Sequence, residues 1–208
     1  MGAAVVAVPG PPPAKKVRFV VDVPTDWRPS AGPLLDLIGD NATVILWLNG
    51  QAACDHPPHV RVVTRAVANI QRIQQGIGAA PAQSGCHWFR HVYRELNDDA
   101  DAVVNEALDR RVHVQARRPL LMMHGLPDPW RLRAAFDGGR RGASGEAASG
   151  YVIFALCRDG TWRLWKKEAR YYDPGEHCTV TRAELRAADM LLETLAAVLR
   201  DPTRADMR

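Results

Sequence analysis

"AAFDGGRRGASGEAASGYVIFA", residues 134–155, reads as an apolar strand, a glycine-rich turn and a second apolar strand. Asp137 stands where the first strand is expected to stop, and the Gly, Arg and Ser that follow suit a change of chain direction. Such a unit looks like the beginning of a domain. It lies in the last third of the chain, and the rest of the sequence has to account for that position.

Downstream of it, "TWRLWKKEARYY" (161–172) predicts a further strand, after strands over 132–137 and 150–157. A helix over about 182–199 aligns Leu185, Ala188, Leu192, Leu195 and Leu199 on one face, with Glu184 in its first turn. Upstream, "LLDLI" (34–38) suits a buried parallel strand, and "ATVILWLN" (42–49) a helix that stops at Gly50. Strand and helix meet at Asp40. A second helix fits 59–75, with Val63, Val67 and Ile70 on one side. "CHWFRHV" (86–92) reads as a strand, and "LNDDADAVVNEALDRR" spaces Ala100, Val103, Val104, Ala107 and Leu108 as an amphipathic helix whose apolar stripe Asp101 borders. Residues 111–131 hold two proline clusters and no sustained period, and are expected to be a connector that packs through its apolar residues at 120–123. "VRFVVDV" (17–23) is a candidate edge strand before the loop "TDWRPSAGP".

A chain of 208 residues, 47% hydrophobic and 24% charged, can bury one sizeable core, so one domain over 17–200 is expected, between tails at 1–16 and 201–208. The net charge of +4 and pI near 9.1 permit a polyanionic partner without demanding one. Cys54, Cys86, Cys157 and Cys178 form no Cys-x-x-Cys pair, which favours free thiols and a reducing compartment. The start "MGAAVVAVPGPPPAKK" has neither the basic region of a signal peptide nor a hydroxyl residue at the myristoylation position, and no apolar run approaches a bilayer's width. An intracellular protein, in cytoplasm or nucleus and off the membrane, is expected.

Four acids stand at strand ends or first helical turns: Asp40, Asp101, Asp137 and Glu184. Each has an ordinary structural explanation. Asp40 could cap the next helix, Asp101 could favour the positive end of its helix dipole, Asp137 could open an Asp-Gly turn, and "TRAE" is a Thr-x-x-Glu capping box.

Their order also carries a resemblance. Read from residue 132 to the end and then from 17 to 111, the chain resembles type 1 ribonuclease H. "FDGGRRGASGEAASGYVIF" is similar to the family's opening strand, glycine-rich loop and second strand, and "TVTRAELRAADMLLETL" to its first helix. "LIGDNATVILWLNG" resembles its fourth strand and following helix, and "FRHVYRELNDDADAVVNEAL" its fifth strand and terminal helix, with His91, Asn97, Ala100 and Asp101 at the family's relative positions. The halves come in reversed order, 132–200 being the family's N-terminal half and 17–110 its C-terminal half. A circular permutant, opened between first helix and fourth strand and rejoined through 111–131, explains where the opening motif lies. The termini of compact domains lie at the surface, which makes such a rearrangement physically reasonable. Two half-domains cut from a tandem array, pairing within one chain or between two, is the competing account.

The resemblance implies an α/β ribonuclease H-like fold: a mixed five-stranded sheet, three strands antiparallel and two parallel to the first, flanked by helices. It implies cleavage of the RNA strand of an RNA/DNA hybrid by two Mg²⁺ ions, with Mn²⁺ as a substitute. Two-metal hydrolysis needs hard oxygen ligands around cations about 4 Å apart. By resemblance Asp137 would be shared between them, Glu184 and Asp40 would complete one site, and Asp101 would help hold the other. His91 would be auxiliary, in proton transfer or product release. Gly138, Gly139 and Gly142 through their amides, with Thr179, Thr181, Arg140 and Asn97, would contact the hybrid, whose 2′-hydroxyls and groove shape distinguish it from DNA.

Ala143 and Ser144 replace the Asn-Pro the family often carries in its first loop, and Val180 and Thr181 stand where Asn or Gln is common. These departures remove side-chain contacts to RNA and weaken selectivity. Arg140, Arg141, Arg158, Arg163, Lys166, Lys167 and Arg170, interleaved with Trp162, Trp165, Tyr171 and Tyr172, suit phosphates and sugars, although a solvated strand face gives the same pattern. The alternative function is a catalytically silent ribonuclease H-fold module that binds nucleic acid or acts as a scaffold, against which four acids argue. A nuclease acting on DNA or structured RNA is a third reading. A monomer is expected, with a domain-swapped dimer as the alternative.

Overall fold

Alternation decides the two faces of the sheet. In β4 (Arg131–Arg140) Ala134 and Phe136 point to one side and Ala135 to the other, and in β5 (Ala147–Leu156) Tyr151 and Ile153 oppose Val152. Both faces are covered, so the two strands read as nearly continuous apolar runs. The computed structural model describes residues 34–76, 89–117, 131–142, 144–157 and 160–200.

In chain order the other elements are β1 (Leu34–Gly39), α1 (Ala42–Leu48), α2 (Pro57–Gly76), β2 (Phe89–His91), α3 (Asp98–Arg110), β3 (Val114–Arg117), β6 (Trp162–Tyr172) and α4 (Val180–Arg200). They form one mixed six-stranded sheet in the order β2-β1-β4-β5-β6-β3. β4, β5 and β6 are successively antiparallel, and β1 runs parallel to both β4 and β2. The larger core lies on the α4 side, where Leu185, Leu191, Leu192 and Leu195 meet Phe136, Tyr151, Ile153 and Trp165, with α1 and α2 completing the layer. Arg65 of α2 pairs with the buried Asp189 of α4. On the opposite face α3 lays Ala100, Val103, Val104, Ala107 and Leu108 on Ala135, Ala148 and Val152.

The expected five strands are six. Residues 114–117, expected within a structureless connector, form β3 and pair antiparallel with β6 from Val114 against Ala169 to Arg117 against Lys166. Arg111 ends α3 in the left-handed conformation at φ 53°, which turns the chain back toward that edge. The tails at 1–16 and 201–208, the 17–23 strand, the apolar residues at 120–123, Cys86, Ala143 and Arg158 lie outside the described residues. Among the described residues Cys54, Cys157 and Cys178 are free thiols, and no helix is long and apolar enough to cross a membrane.

Candidate metal centre

The parallel strands β1, β2 and β4 bring their C-terminal ends to the same edge of the sheet, where parallel strands leave a crevice. The β1–β4 ladder ends at Ile38 against Ala135, two residues short of Asp40 and Asp137. Beyond that point β1 no longer pairs with β4, and Glu184 approaches from α4. One carboxylate oxygen from each of Asp40, Asp137 and Glu184 lies within 4.8 Å of the others.

Asn41, not Asp40, caps α1, its Oδ1 accepting from the Val44 amide at 3.2 Å. Asp137 opens no turn, because β4 continues to Arg140 with Asp137 paired to Gly150. Thr179 caps α4, its Oγ1 accepting from the Arg182 amide at 3.2 Å, which leaves Glu184 out of any Thr-x-x-Glu box. Asp101 does stand in the first turn of α3, beside Asp98 and Asp99.

Glu184 is seated by a close approach of backbones. A Cβ on Gly138 would lie 2.1 Å from the Glu184 nitrogen and 2.3 Å from the Ala183 carbonyl carbon, so only glycine lets α4 come this near to β4. Across the ladder from Gly138, Ser149 donates its hydroxyl to the Ala183 carbonyl at 2.7 Å. The Asp-Gly pair thus delivers one carboxylate itself and makes room for the second.

Asp137 and Glu184 are only 5% and 4% exposed, while Asp40 Oδ1 and Glu184 Oε2 are buried without a hydrogen-bond partner. Burial, followed by the charges of Asp40 and Asp101, pushes Asp137 up to about 7; the Gly138 amide and Arg94 pull weakly the other way. Burial, then Asp137 and Asp40, pushes Glu184 up to about 10. Three converging carboxylates with orphaned oxygens call for protons or a cation. An all-oxygen, anionic donor set of this kind fits a hard divalent cation such as Mg²⁺ or Mn²⁺.

Asp101 is not among the three. Its Oδ1 accepts from Arg94 Nη2 at 3.1 Å and its Oδ2 from Asn105 Nδ2 at 2.7 Å. His91 lies exposed on the rim, its Nε2 3.0 Å from the Asp40 carbonyl oxygen. Asn49 steadies that rim by bonding both the amide and the carbonyl of Phe89 in β2.

Two of the residues expected to contact a hybrid have partners within the fold. Asn97 is 1% exposed and donates from Nδ2 to the Phe136 carbonyl at 3.0 Å, so it ties the start of α3 to β4. Gly138 is buried against α4, and its amide serves the carboxylates of Asp137 and Glu184. Gly139 fits under α3, where a Cβ would meet Val104 at 2.9 Å. Arg140, Gly142 and Thr179 are exposed, and Thr181 is half-buried. Sequence reasoning missed Arg94 and Ser149. A lone base between His91 and the acids at 95, 98, 99 and 101 was a signal for Arg94. Ser149 had none, because its place opposite Gly138 depends on the length of the turn.

No family model matches the chain, and no curated protein matches it. Among solved structures it is similar to the PelC dodecamer from Paraburkholderia phytofirmans, at 11% identity over 82% of this chain and 89% of that one, with a TM-score of 0.31. A point variant of that dodecamer gives 15% identity over 81% and 95%, with a TM-score of 0.28. Likenesses this distant carry no inference about fold or function.

Proposed function

We propose that the chain is a metal-dependent endoribonuclease that cuts the RNA strand of RNA/DNA hybrids, on a circularly permuted ribonuclease H-like fold. The observation that carries this reading is the convergence of Asp40, Asp137 and Glu184, drawn from both halves of the sequence, with two buried carboxylate oxygens unpartnered. The sheet supports it. Taken in the order β4, β5, β6, β1, β2, the chain would start at the Asp137 strand and give three antiparallel strands followed by two parallel to the first. β3 is then an addition at the far edge.

Asp40, Asp137 and Glu184 would hold Mg²⁺, with Asp101 as the fourth acid. Bound there, the metal would supply an activated water and neutralise charge building on the phosphodiester. The protein's part is to hold the carboxylates rigidly from two strands and a helix, and to keep the crevice open at the ends of β1 and β4. His91 Nε2 is engaged by the Asp40 carbonyl, which leaves Nδ1 to exchange a proton with a departing group. Arg140, the backbone at Gly142 and the hydroxyl of Thr181 would meet phosphates and 2′-hydroxyls along the crevice.

The test is cleavage of an end-labelled RNA/DNA hybrid in Mg²⁺, beside double-stranded RNA, double-stranded DNA and an Asp40→Asn control. Hybrid-selective cuts that vanish in the control are expected. Binding of the hybrid by a folded protein that cuts nothing would overturn the reading in favour of a silent module.

A further inference from the structure

We infer that Arg94 acts as a gate on the metal centre, holding Asp101 away from the other three carboxylates so that a second divalent cation enters only when the guanidinium swings aside. The inference rests on the metal site of the proposed function and concerns how that site is loaded.

Three observations carry it. Asp40, Asp137 and Glu184 already converge, whereas Asp101 is held elsewhere with both oxygens engaged, by Arg94 at 3.1 Å and by Asn105 at 2.7 Å. The Asn105 bond joins residues one turn apart on α3 and can persist when a cation binds the other oxygen. Arg94 is therefore the partner that must leave. Second, the guanidinium feels Asp137 and Asp40 as well as Asp101, so its positive charge lies where an additional metal ion would be repelled. Third, the Arg94 side chain is 76% exposed on the short turn Arg94–Leu96 between β2 and α3, and Asp101 is 30% exposed. An exposed arginine can rotate into solvent without opening a cavity or stranding a buried charge, which is what a gate requires. A phosphate group of an incoming strand offers the guanidinium a competing anion, so substrate binding and release of Asp101 are linked.

The experiment counts ions rather than turnover. Mn²⁺ is titrated into the purified full chain and followed by calorimetry and by the electron paramagnetic resonance of free Mn²⁺, for the wild type, Arg94→Gln and the Arg94→Gln, Asp101→Asn double variant. Circular dichroism verifies that all three are folded. One tighter ion and one weaker ion are expected in the wild type. In Arg94→Gln the weaker ion should bind at least about fivefold more tightly, the size of an exposed charge interaction. The double variant should lose that gain. Equal affinities for the second ion in wild type and Arg94→Gln, or a gain that survives Asp101→Asn, overturn the inference. Failure to bind any Mn²⁺ overturns it together with the metal-dependent function. If ion loading responds to Arg94 as expected while no hybrid is cut, the functional reading falls and the gate stands.

Discussion

Gly138 governs the site through what it lacks. The atoms a side chain would strike there belong to the backbone of α4, at 2.1 and 2.3 Å, and a helix backbone cannot give way as the end of a flexible side chain can. Gly138→Ala should therefore push the first turns of α4 off the sheet and destabilise the fold by about 2 kcal/mol, a cost typical of overpacking. Because Glu184 travels with that turn, the rise in Tm on adding Mn²⁺ should shrink in the same variant. Urea unfolding and a thermal scan with and without Mn²⁺ check both parts. Unchanged stability with an unchanged Mn²⁺ response would show that the close approach is not what seats Glu184.

At the scale of elements, two struts fix the helices over the crevice: Ser149 to the Ala183 carbonyl on the α4 side, and Asn97 to the Phe136 carbonyl on the α3 side. Ser149→Ala removes the buried hydrogen bond to the Ala183 carbonyl together with the one shared with Tyr172, so at least about 1 kcal/mol of stability should be lost. The rise in Tm on adding Mn²⁺ should be kept, in contrast to Gly138→Ala. A loss of that rise in Ser149→Ala would mean that the hydrogen bond to Ala183, and not shape alone, places Glu184. The elements that could be read from the sequence are those whose residues match their period, such as α3 with its five core residues and the apolar heart of β4. The ends of β4 and β5 run past the segments expected for them, through Gly138, Gly139, Ala148 and Ser149. Small residues have poor strand propensity, and they stand there because α3 and α4 press close on both faces. Val114–Arg117 escaped notice for a different reason: a four-residue edge strand, buried only at Val114 and in part at Arg117, has almost no hydrophobic pattern to read. Asp40 was read as a candidate cap for α1, and the hydrogen bond from the Val44 amide gives that task to its neighbour Asn41.

For the molecule as a whole, the centre sets a conflict between folding and charge that pH should expose. Burial first, then the neighbouring acids, raises Asp137 from 3.8 to about 7 and Glu184 from 4.5 to about 10. Burial raises Asp189 and Asp99 as well. Between the ordinary carboxylate range and these raised values, the folded chain keeps protons that the unfolded chain has released. Stability of the metal-free protein therefore falls as pH rises, beginning just above pH 4, and Glu184 continues the fall beyond about 7, where Asp137 has released its proton. Glu146, lowered by hydrogen bonds from Tyr171 and Ser144, works the opposite way and loses its contribution only below the ordinary glutamate value of 4.5. His59, lowered chiefly by burial, opposes the fall only beneath its usual 6.5. In chelator, urea unfolding should show a loss of several kcal/mol between pH 5 and pH 8, since one unit of displaced pKa corresponds to about 1.4 kcal/mol and both raised acids contribute across that range. Asp137→Asn should flatten that slope and be more stable than the wild type at pH 8 without metal, because the amide carries no charge to bury. Millimolar Mg²⁺ should stabilise the wild type increasingly as pH rises, since cation and proton compete for the same oxygens, and should leave Asp137→Asn nearly unaffected. A flat wild-type profile, or an Asn variant with the wild-type slope, would mean that the three carboxylates are already compensated within the fold and do not need a cation.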